Sequence, residues 1–193
     1  MPWEKQFNEA DVLEKAMHAF WARGYEATSI QDLVDCMGIK RGSIYAAFGD
    51  KHTLFLKTLE HYEIHYCRDW LASLRQQHTP RAAILSVFES GISVAISDRN
   101  RSGCFLINTA IELSPHDPRV AHVVARGLSV AETFFRDTVE DGQERGELSR
   151  DIDPVDTART MLCLLTALRV LARGRPERPL LEAVANQAGA LLH

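Results

Sequence analysis

The segment that decides the fold is Thr28–Phe48, TSIQDLVDCMGIKRGSIYAAF. One short run of apolar residues at helical spacing ends at Gly38, and a second short run begins almost at once. A glycine at the end of the first run suits the left-handed backbone that closes many helices. Two short helices joined by so tight a turn are typical of a helix-turn-helix, whose second helix enters the DNA major groove. The segment therefore predicts a DNA-binding unit.

The second predicted helix carries polar groups on its outward side. Arg41 can donate two hydrogen bonds to a guanine edge, whereas the hydroxyls of Ser43 and Tyr45 suit phosphate oxygens. Gly42, which has no side chain, allows the protein backbone to approach the DNA backbone closely. Lys40 stands where a helix usually begins with Ser, Thr or Asp, so the first N–H groups lack a side-chain acceptor and favour an anion such as phosphate. These residues are the predicted centre of the DNA contact.

A family resemblance is carried by three blocks of residues: GYEATSI at 24–30, GIKRGSIY at 38–45 and FGDK at 48–51. Together they resemble the DNA-binding domain of the tetracycline-repressor (TetR) family, over about residues 8 to 57. The resemblance implies a three-helix DNA-binding head, a larger helical ligand-binding body and a homodimer. The sequence departs from the family pattern at Ala46-Ala47, where an aromatic-His pair is frequent, and at Lys40, where a small cap is common.

The resemblance also implies which residues contact DNA. They are Ser29, Gln31, Arg41, Gly42, Ser43, Tyr45 and Lys51. A physical argument also supports a DNA contact by Lys51. It follows the predicted N-cap Asp50, and the helix dipole disfavours a cation there unless an anion such as a phosphate lies nearby. The alternative interpretation of the segment is a helical corner with a solvated basic face.

The rest of the chain has helical periodicity throughout. Apolar runs follow the first one, Val12 to Phe20, at about 51–77, 80–97, 103–113, 118–142, 154–173 and 179–192. Helix starts are marked by Asn8, Thr79-Pro80, Asp117-Pro118 and Asp153-Pro154, and by a Thr28-x-x-Gln31 capping box. We predict an all-α protein of about nine helices, with a DNA-binding domain at 1–50 and a ligand-binding and dimerisation domain at 51–193.

Composition limits the classes of protein that fit. The chain has 193 residues, 22 basic and 26 acidic, and a net charge of −4, so any DNA contact must come from a local basic patch. The four cysteines form no Cys-x-x-Cys pair and the first residues include no apolar signal segment, so we expect free thiols in a cytoplasmic protein. The longest apolar stretch, Met161–Ala172, contains Arg169 and is too short to span a membrane.

The body is predicted to hold a small-molecule effector. The stretch 103–118, GCFLINTAIELSPHDP, resembles a C-terminal domain of one branch of the TetR family, and polar residues in its apolar run are typical of a ligand cavity. The predicted pocket residues are Trp70, Phe88, Cys104, Phe105, Asn108, Thr109, Glu112, Phe134, Met161 and Leu165. The alternatives are that the polar residues bond to neighbouring helices and that the aromatic residues belong to the core.

Cys104 suggests a different kind of sensor. It lies near a predicted helix start after Arg99 and Arg101, and both features lower a thiol pKa, as a sensor of electrophiles or oxidants would need. Its alternative role is a small buried apolar residue. His61 and His65 have metal-ligand spacing but no third ligand, so neither a metal nor a cofactor is predicted. An all-α enzyme is the least favoured class, because the sequence has no nucleophile elbow, phosphate-binding glycine loop or His-Glu-x-x-His.

The last two predicted helices are apolar around much of their girth, so they must cover two surfaces. We expect one surface to face the body and the other a second copy of the chain; burial within one subunit is the alternative. The predicted dimer residues are Leu162, Leu165, Leu168, Leu181, Val184 and Ala188. The function predicted from all these features is a homodimeric regulator, most often a repressor in such a family, that binds a palindromic operator and is released by its ligand.

Overall fold

Helices make up nearly all of the regular structure in residues 7–193, the part of the chain that the computed structural model describes. They are α1 Glu9–Arg23, α2 Ile30–Met37, α3 Arg41–Phe48, α4 Lys51–Tyr62, α5 Asp69–Gln77, α6 Pro80–Ser97, α7 Phe105–Glu112, α8 Pro118–Glu144, α9 Pro154–Gly174 and α10 Arg178–Ala190. A π-helical stretch, Glu63–Arg68, joins α4 to α5 without a break. Across the described range the chain has no strand, so the all-α prediction is confirmed. Residues 1–6, which open the predicted first domain and the region scanned for a signal segment, lie outside that range.

The helix starts follow the predicted caps, with two exceptions. Asn8, Asp117 and Asp153 each accept a hydrogen bond from a backbone N–H in the first turn of their helix. Thr79 does not cap α6 with its side chain. Its hydroxyl instead donates to Glu147 at 2.7 Å, and the same carboxylate oxygen accepts the N–H of Arg81 at 3.2 Å. A carboxylate distant in sequence therefore replaces the local cap.

The capping box of α2 lies one residue later than predicted. Ser29 Oγ accepts the N–H of Asp32 at 3.1 Å, and the Asp32 carboxylate accepts the N–H of Ser29 at 2.8 Å. Thr28 is fully buried and its hydroxyl donates to the carbonyl of Gly24 at 2.7 Å. The prediction of a Thr28-x-x-Gln31 box was wrong because burial turns Thr28 away from the helix end.

Two hydrophobic cores organise the molecule. The first joins α1–α4 to α7 and the first half of α8. The second is built from α5, α6, the second half of α8, α9 and α10. Helix α4 packs on both α1 and α8, so the first core crosses the predicted boundary between residues 50 and 51. That boundary stays a prediction. None of the helices in the described range is long and apolar enough to cross a membrane.

Half of the predicted dimer residues lie inside the second core. Leu168, Leu181 and Ala188 have no exposed surface in a single chain, so they cannot contact another copy, and for them burial within one subunit is the correct reading. Leu162, Leu165 and Val184 are half-buried, and Leu165 and Val184 pack partly against the same core. Periodicity shows how much apolar surface a helix has but not which part of it faces the chain's own core.

Candidate nucleic-acid interface

Helices α2 and α3 are seated on a shared core. Leu33 and Met37 of α2 and Ile44 and Phe48 of α3 are all buried against α1 and α4. The turn between the two helices depends on Gly38, which adopts the left-handed conformation (φ 70°, ψ 25°) and donates its N–H to the carbonyl of Val34. A side chain with a Cβ rarely adopts this backbone, so the glycine sets the angle at which α3 leaves α2.

The outward side of α3 carries cations that the protein itself leaves unpaired. The side chains of Lys40 and Arg41 are exposed and make no hydrogen bond or ion pair with any residue of the range 7–193. Gly42 is exposed, Ser43 is half-buried, and Tyr45 keeps 44% of its surface exposed. These five predicted residues lie together on one surface, which we call the α3 face. In a chain of net charge −4, it is the local basic patch that a DNA contact requires.

The start of α3 has the open end that the sequence predicts. Lys40 occupies the N-cap position and makes no side-chain hydrogen bond to the helix. The first N–H groups of the helix therefore have no side-chain acceptor at the cap, and the helix dipole favours an anion there. The geometry suits a phosphate oxygen.

Ser29 and Gln31 of the α2 region are exposed, but their polar groups already have partners. Ser29 Oγ donates to Asp32 at 2.6 Å, and Gln31 Nε2 donates to Asp35 at 2.9 Å. The hydrogen bonds from Ser29, together with the guanidinium of Arg23, lower the pKa of Asp32 to about 2. Ser29 and Gln31 would have to exchange these bonds for DNA bonds, whereas the residues of the α3 face would not.

Lys51 is held in place by an aromatic ring that the sequence analysis did not single out. Its Nζ lies 4.2 Å from the centroid of the Tyr25 ring, a cation–π contact, at the first position of α4. Asp50 caps that helix by accepting the N–H of Thr53 at 2.6 Å. The only sequence signal for this contact is the location of Tyr25 inside the GYEATSI block. An aromatic residue after a glycine fits many roles, so that signal does not predict a contact with Lys51. Lys51 thus reaches the DNA side already positioned.

Polar contacts add to the shared core where the head meets the body. Glu112 accepts the N–H groups of Tyr25 (3.0 Å) and Glu26 (3.3 Å) from the loop before α2. His52 at the start of α4 pairs with Asp117, the cap of α8. Trp21 Nε1 donates to the carbonyl of Ser102 at 3.2 Å. Together these contacts form what we call the joint between head and body.

The predicted pocket residues separate into three groups. Trp70, Cys104 and Leu165 line a mostly apolar cavity of about 70 Å³ between the π-helical stretch, α8 and α9, which we call the body cavity. Phe105, Asn108, Thr109 and Glu112 line a more polar hollow beside the joint, which we call the joint hollow. Phe88, Phe134 and Met161 are buried in the second core, where close packing explains them, as the alternative reading had it.

Cys104 is the N-cap of α7 and does not lie within its first turn. Its Sγ accepts a hydrogen bond from the hydroxyl of Tyr62 at 3.6 Å, while Arg99 and Arg101 lie on an exposed loop. The neighbouring Cys67 is half-buried, and burial raises the pKa of its thiol far above the usual range. The geometry therefore does not favour the thiol-sensor alternative. His61 and His65 bond to Glu14 and Asp69, and the described residues contain no set of three metal ligands.

Comparison with known proteins decides the family. Residues 12–58 match the family model of bacterial regulatory proteins of the tetR family, and residues 79–186 match the tetracyclin repressor-like C-terminal domain. This chain belongs to the TetR family. Similar proteins include the HTH-type transcriptional repressor ComR of Escherichia coli, 30% identical over 97% of this chain and 89% of ComR. The regulator YezE of Bacillus subtilis is 33% identical over 75% of each chain.

Solved structures agree with this TetR-family assignment. A cysteine mutant of the TetR-family regulator CifR, complexed with 26-bp double-strand operator DNA, is 28% identical and superimposes with a TM-score of 0.85 over 99% of this chain and 100% of that one. Reduced Escherichia coli NemR has a TM-score of 0.87 at 18% identity and covers 95% of this chain and 96% of its own, which shows a common fold. The protein is thus a DNA-binding transcriptional regulator of the TetR family.

Proposed function

We propose that the protein is a repressor that binds a palindromic operator as a homodimer and leaves it when a small molecule occupies the body. The observation that carries the proposal is the α3 face, where exposed Lys40 and Arg41 have no partner among residues 7–193 and the helix start lacks a side-chain cap. The name of ComR and the operator complex of CifR support it. The proposal includes no catalytic step.

On DNA, α3 lies in the major groove with Arg41 at a base edge. A guanidinium that donates two hydrogen bonds to guanine contributes about 1–3 kcal/mol of discrimination. Phosphates on either side are bound by the open start of α3, by Lys40 and by Lys51 on its Tyr25 support. Ser43 and Tyr45 add hydroxyl donors to the same backbone, and Gly42 allows the close approach.

The dimer surface that we propose is the outward side of α9 and α10. Three of the six predicted residues are buried in the chain, whereas Leu162, Leu165 and Val184 are half-buried and remain candidates. To them we add the small and apolar side chains that stay exposed on the same helices. They are Cys163, Ala167 and Val170 of α9 with Ala183 and Ala190 of α10. Two-fold packing of these helices would carry two heads toward successive major grooves, about 34–36 Å apart.

Release by a ligand requires that the ligand prefer one head position over another. The body cavity suits an effector better than the joint hollow, because ligand sites are mostly apolar with a few polar groups, whereas charged side chains border the joint hollow. Cys104, Leu106 and Ile107 bring the start of α7 to the cavity, and Glu112 ends the same helix at the joint. A shift of α7 is therefore a direct route from effector to head.

The test uses a random double-stranded DNA library, because the operator is not defined by the sequence. We expect the full-length protein to select a palindromic site, to sediment as a dimer, and to lose roughly 10- to 100-fold in affinity for that site on Arg41→Ala. Arg150→Ala, at an exposed position in the loop before α9, is the matched control and should bind normally. Failure to enrich any sequence, or equal binding by both variants, would reject the α3 face as the reading surface.

A further inference from the structure

Arg169 is a cation that the fold leaves without a partner at the wall of the body cavity. Its side chain is half-buried, and within residues 7–193 it makes neither a hydrogen bond nor an ion pair. The guanidinium lies near Gly91 of α6, where a Cβ would be in ordinary contact with the guanidinium carbon at 3.8 Å. By contrast, Arg126 on the adjacent helix α8 is paired with the fully buried carboxylate of Glu63 at 3.0 Å.

The rest of the cavity wall is mainly apolar. Trp70, Leu128 and Leu165 contribute hydrocarbon surface, and the Tyr62 hydroxyl is already bonded to Cys104. A charge that is partly removed from water is stabilised when an opposite charge binds beside it. The planar guanidinium matches a carboxylate, to which it can donate two parallel hydrogen bonds.

We propose that the body cavity binds a compact, apolar monocarboxylate. Its carboxylate pairs with Arg169, and its hydrocarbon part packs among Trp70, Leu128 and Leu165. The cavity of about 70 Å³ is several times the roughly 10–15 Å³ that one water needs, which suits a single ring or a short chain. The role of this acid as the effector rests on the proposed function, whereas its binding does not.

The first test needs no variant. Full-length protein is titrated calorimetrically with benzoate, phenylacetate and hexanoate, and in parallel with the corresponding amides, which have the same shape but no charge. At least one acid should bind, and its amide should bind roughly tenfold more weakly or worse, because the charge-assisted pair is lost. Binding by none of the three acids, or equal binding by acids and amides, would overturn the inference.

Variants then locate the carboxylate. Arg169→Met keeps the length and apolar stem of the side chain and should weaken acid binding roughly tenfold or more. Arg173→Met, one turn later at an exposed position beside the joint hollow, is the matched control and should leave it unchanged. If Arg173→Met weakens acid binding instead, the carboxylate binds at the joint hollow, and the assignment to the body cavity is overturned.

Operator binding, measured on the same preparations, separates this inference from the proposed function. If Arg169→Met loses the acid but still binds the selected DNA, both stand. If the wild-type protein binds the DNA but none of the acids, only the inference fails. If it binds an acid in an Arg169-dependent way but selects no DNA, only the proposed function fails.

Discussion

At the scale of single residues, close packing between α7 and α8 depends on one missing side chain. Gly127 of α8 lies against Leu106 of α7 and against the stem of Glu63. A Cβ at this position would stand 2.5 Å from a methyl carbon of Leu106 and 3.4 Å from Glu63 Cγ. Leu106 is itself buried, and the body cavity is the space into which it could withdraw. The approach of α7 to α8 is thus set by this glycine.

Gly127→Ala should therefore lower the free energy of unfolding by about 1–3 kcal/mol through overpacking. Gly174→Ala is the matched control, because a Cβ at the end of α9 meets nothing within 4 Å and alanine favours the helix. Urea unfolding followed by circular dichroism measures both variants. A Gly127→Ala variant as stable as Gly174→Ala would show that Leu106 moves freely.

At the scale of elements, the continuous helix from α4 to α5 serves two structures at once. Its first part packs on α1 in the head, and its π-helical stretch brings Tyr66 and Cys67 to the body cavity. Glu63, the first residue of that stretch, is fully buried and accepts hydrogen bonds from Arg68 and Arg126. Such π-helical insertions are frequent at functional sites. The helix thus links the DNA side of the molecule with the cavity.

The capping box of α2 makes the stability of the head depend measurably on pH. The pKa of Asp32 is about 2 in the folded protein against an ordinary 3.8, because Ser29 and Arg23 stabilise the carboxylate. The lowered pKa means that Asp32 contributes stability above its ordinary pKa, and that this contribution is lost as the pH falls from 3.8 toward 2. Asp32→Asn should therefore flatten the fall in melting temperature over that range.

The matched control for Asp32→Asn is Asp35→Asn, one turn further along α2, where the carboxylate accepts a bond from Gln31 and does not cap the helix. Melting temperatures recorded by circular dichroism across the acid range should differ between the two variants. If the melting temperatures of the two variants fall equally as the pH is lowered, Asp32 is excluded as a source of the pH-dependent stability.

At the scale of the whole molecule, the head sits on the body through few direct polar contacts. The carboxylate of Glu112 accepts two N–H groups of the loop before α2, and it also contacts Gly24 closely. On the other side of α4, His52 pairs with Asp117. These bonds supplement the first hydrophobic core, which also joins the head to α7 and α8, so a ligand that moves the head has to act on both.

Glu112→Ala should therefore speed hydrogen–deuterium exchange at the amides of Tyr25 and Glu26 while exchange in α9 stays unchanged. Operator affinity should fall several-fold, because a looser head must be ordered on binding. Glu144→Ala, an exposed glutamate at the end of α8, is the control. Unchanged exchange in the loop would show that Glu112 does not hold the head.

Much of the candidate site was readable from sequence, and the failures have physical causes. The α3 face and the uncapped Lys40 follow from local spacing and residue chemistry, which act over one or two helical turns. The partners of Ser29 and the aromatic support beneath Lys51 depend on which rotamers packing allows. The sequence cannot separate the two roles of Glu112, because a polar group in an apolar run fits both a ligand cavity and a hydrogen bond to a distant loop.

The sequence alone determined the helical class, most helix starts and the recognition helix, because apolar periodicity, caps and glycine turns act between residues close in the chain. Only the tertiary structure decided which leucines of the last two helices are buried and that the predicted pocket divides into a cavity, a hollow and core. It alone also decided that Arg169 has no partner in the part of the chain that the structure describes. Those outcomes depend on contacts between residues far apart in the chain, and helical periodicity carries no information about which distant surface a face will meet.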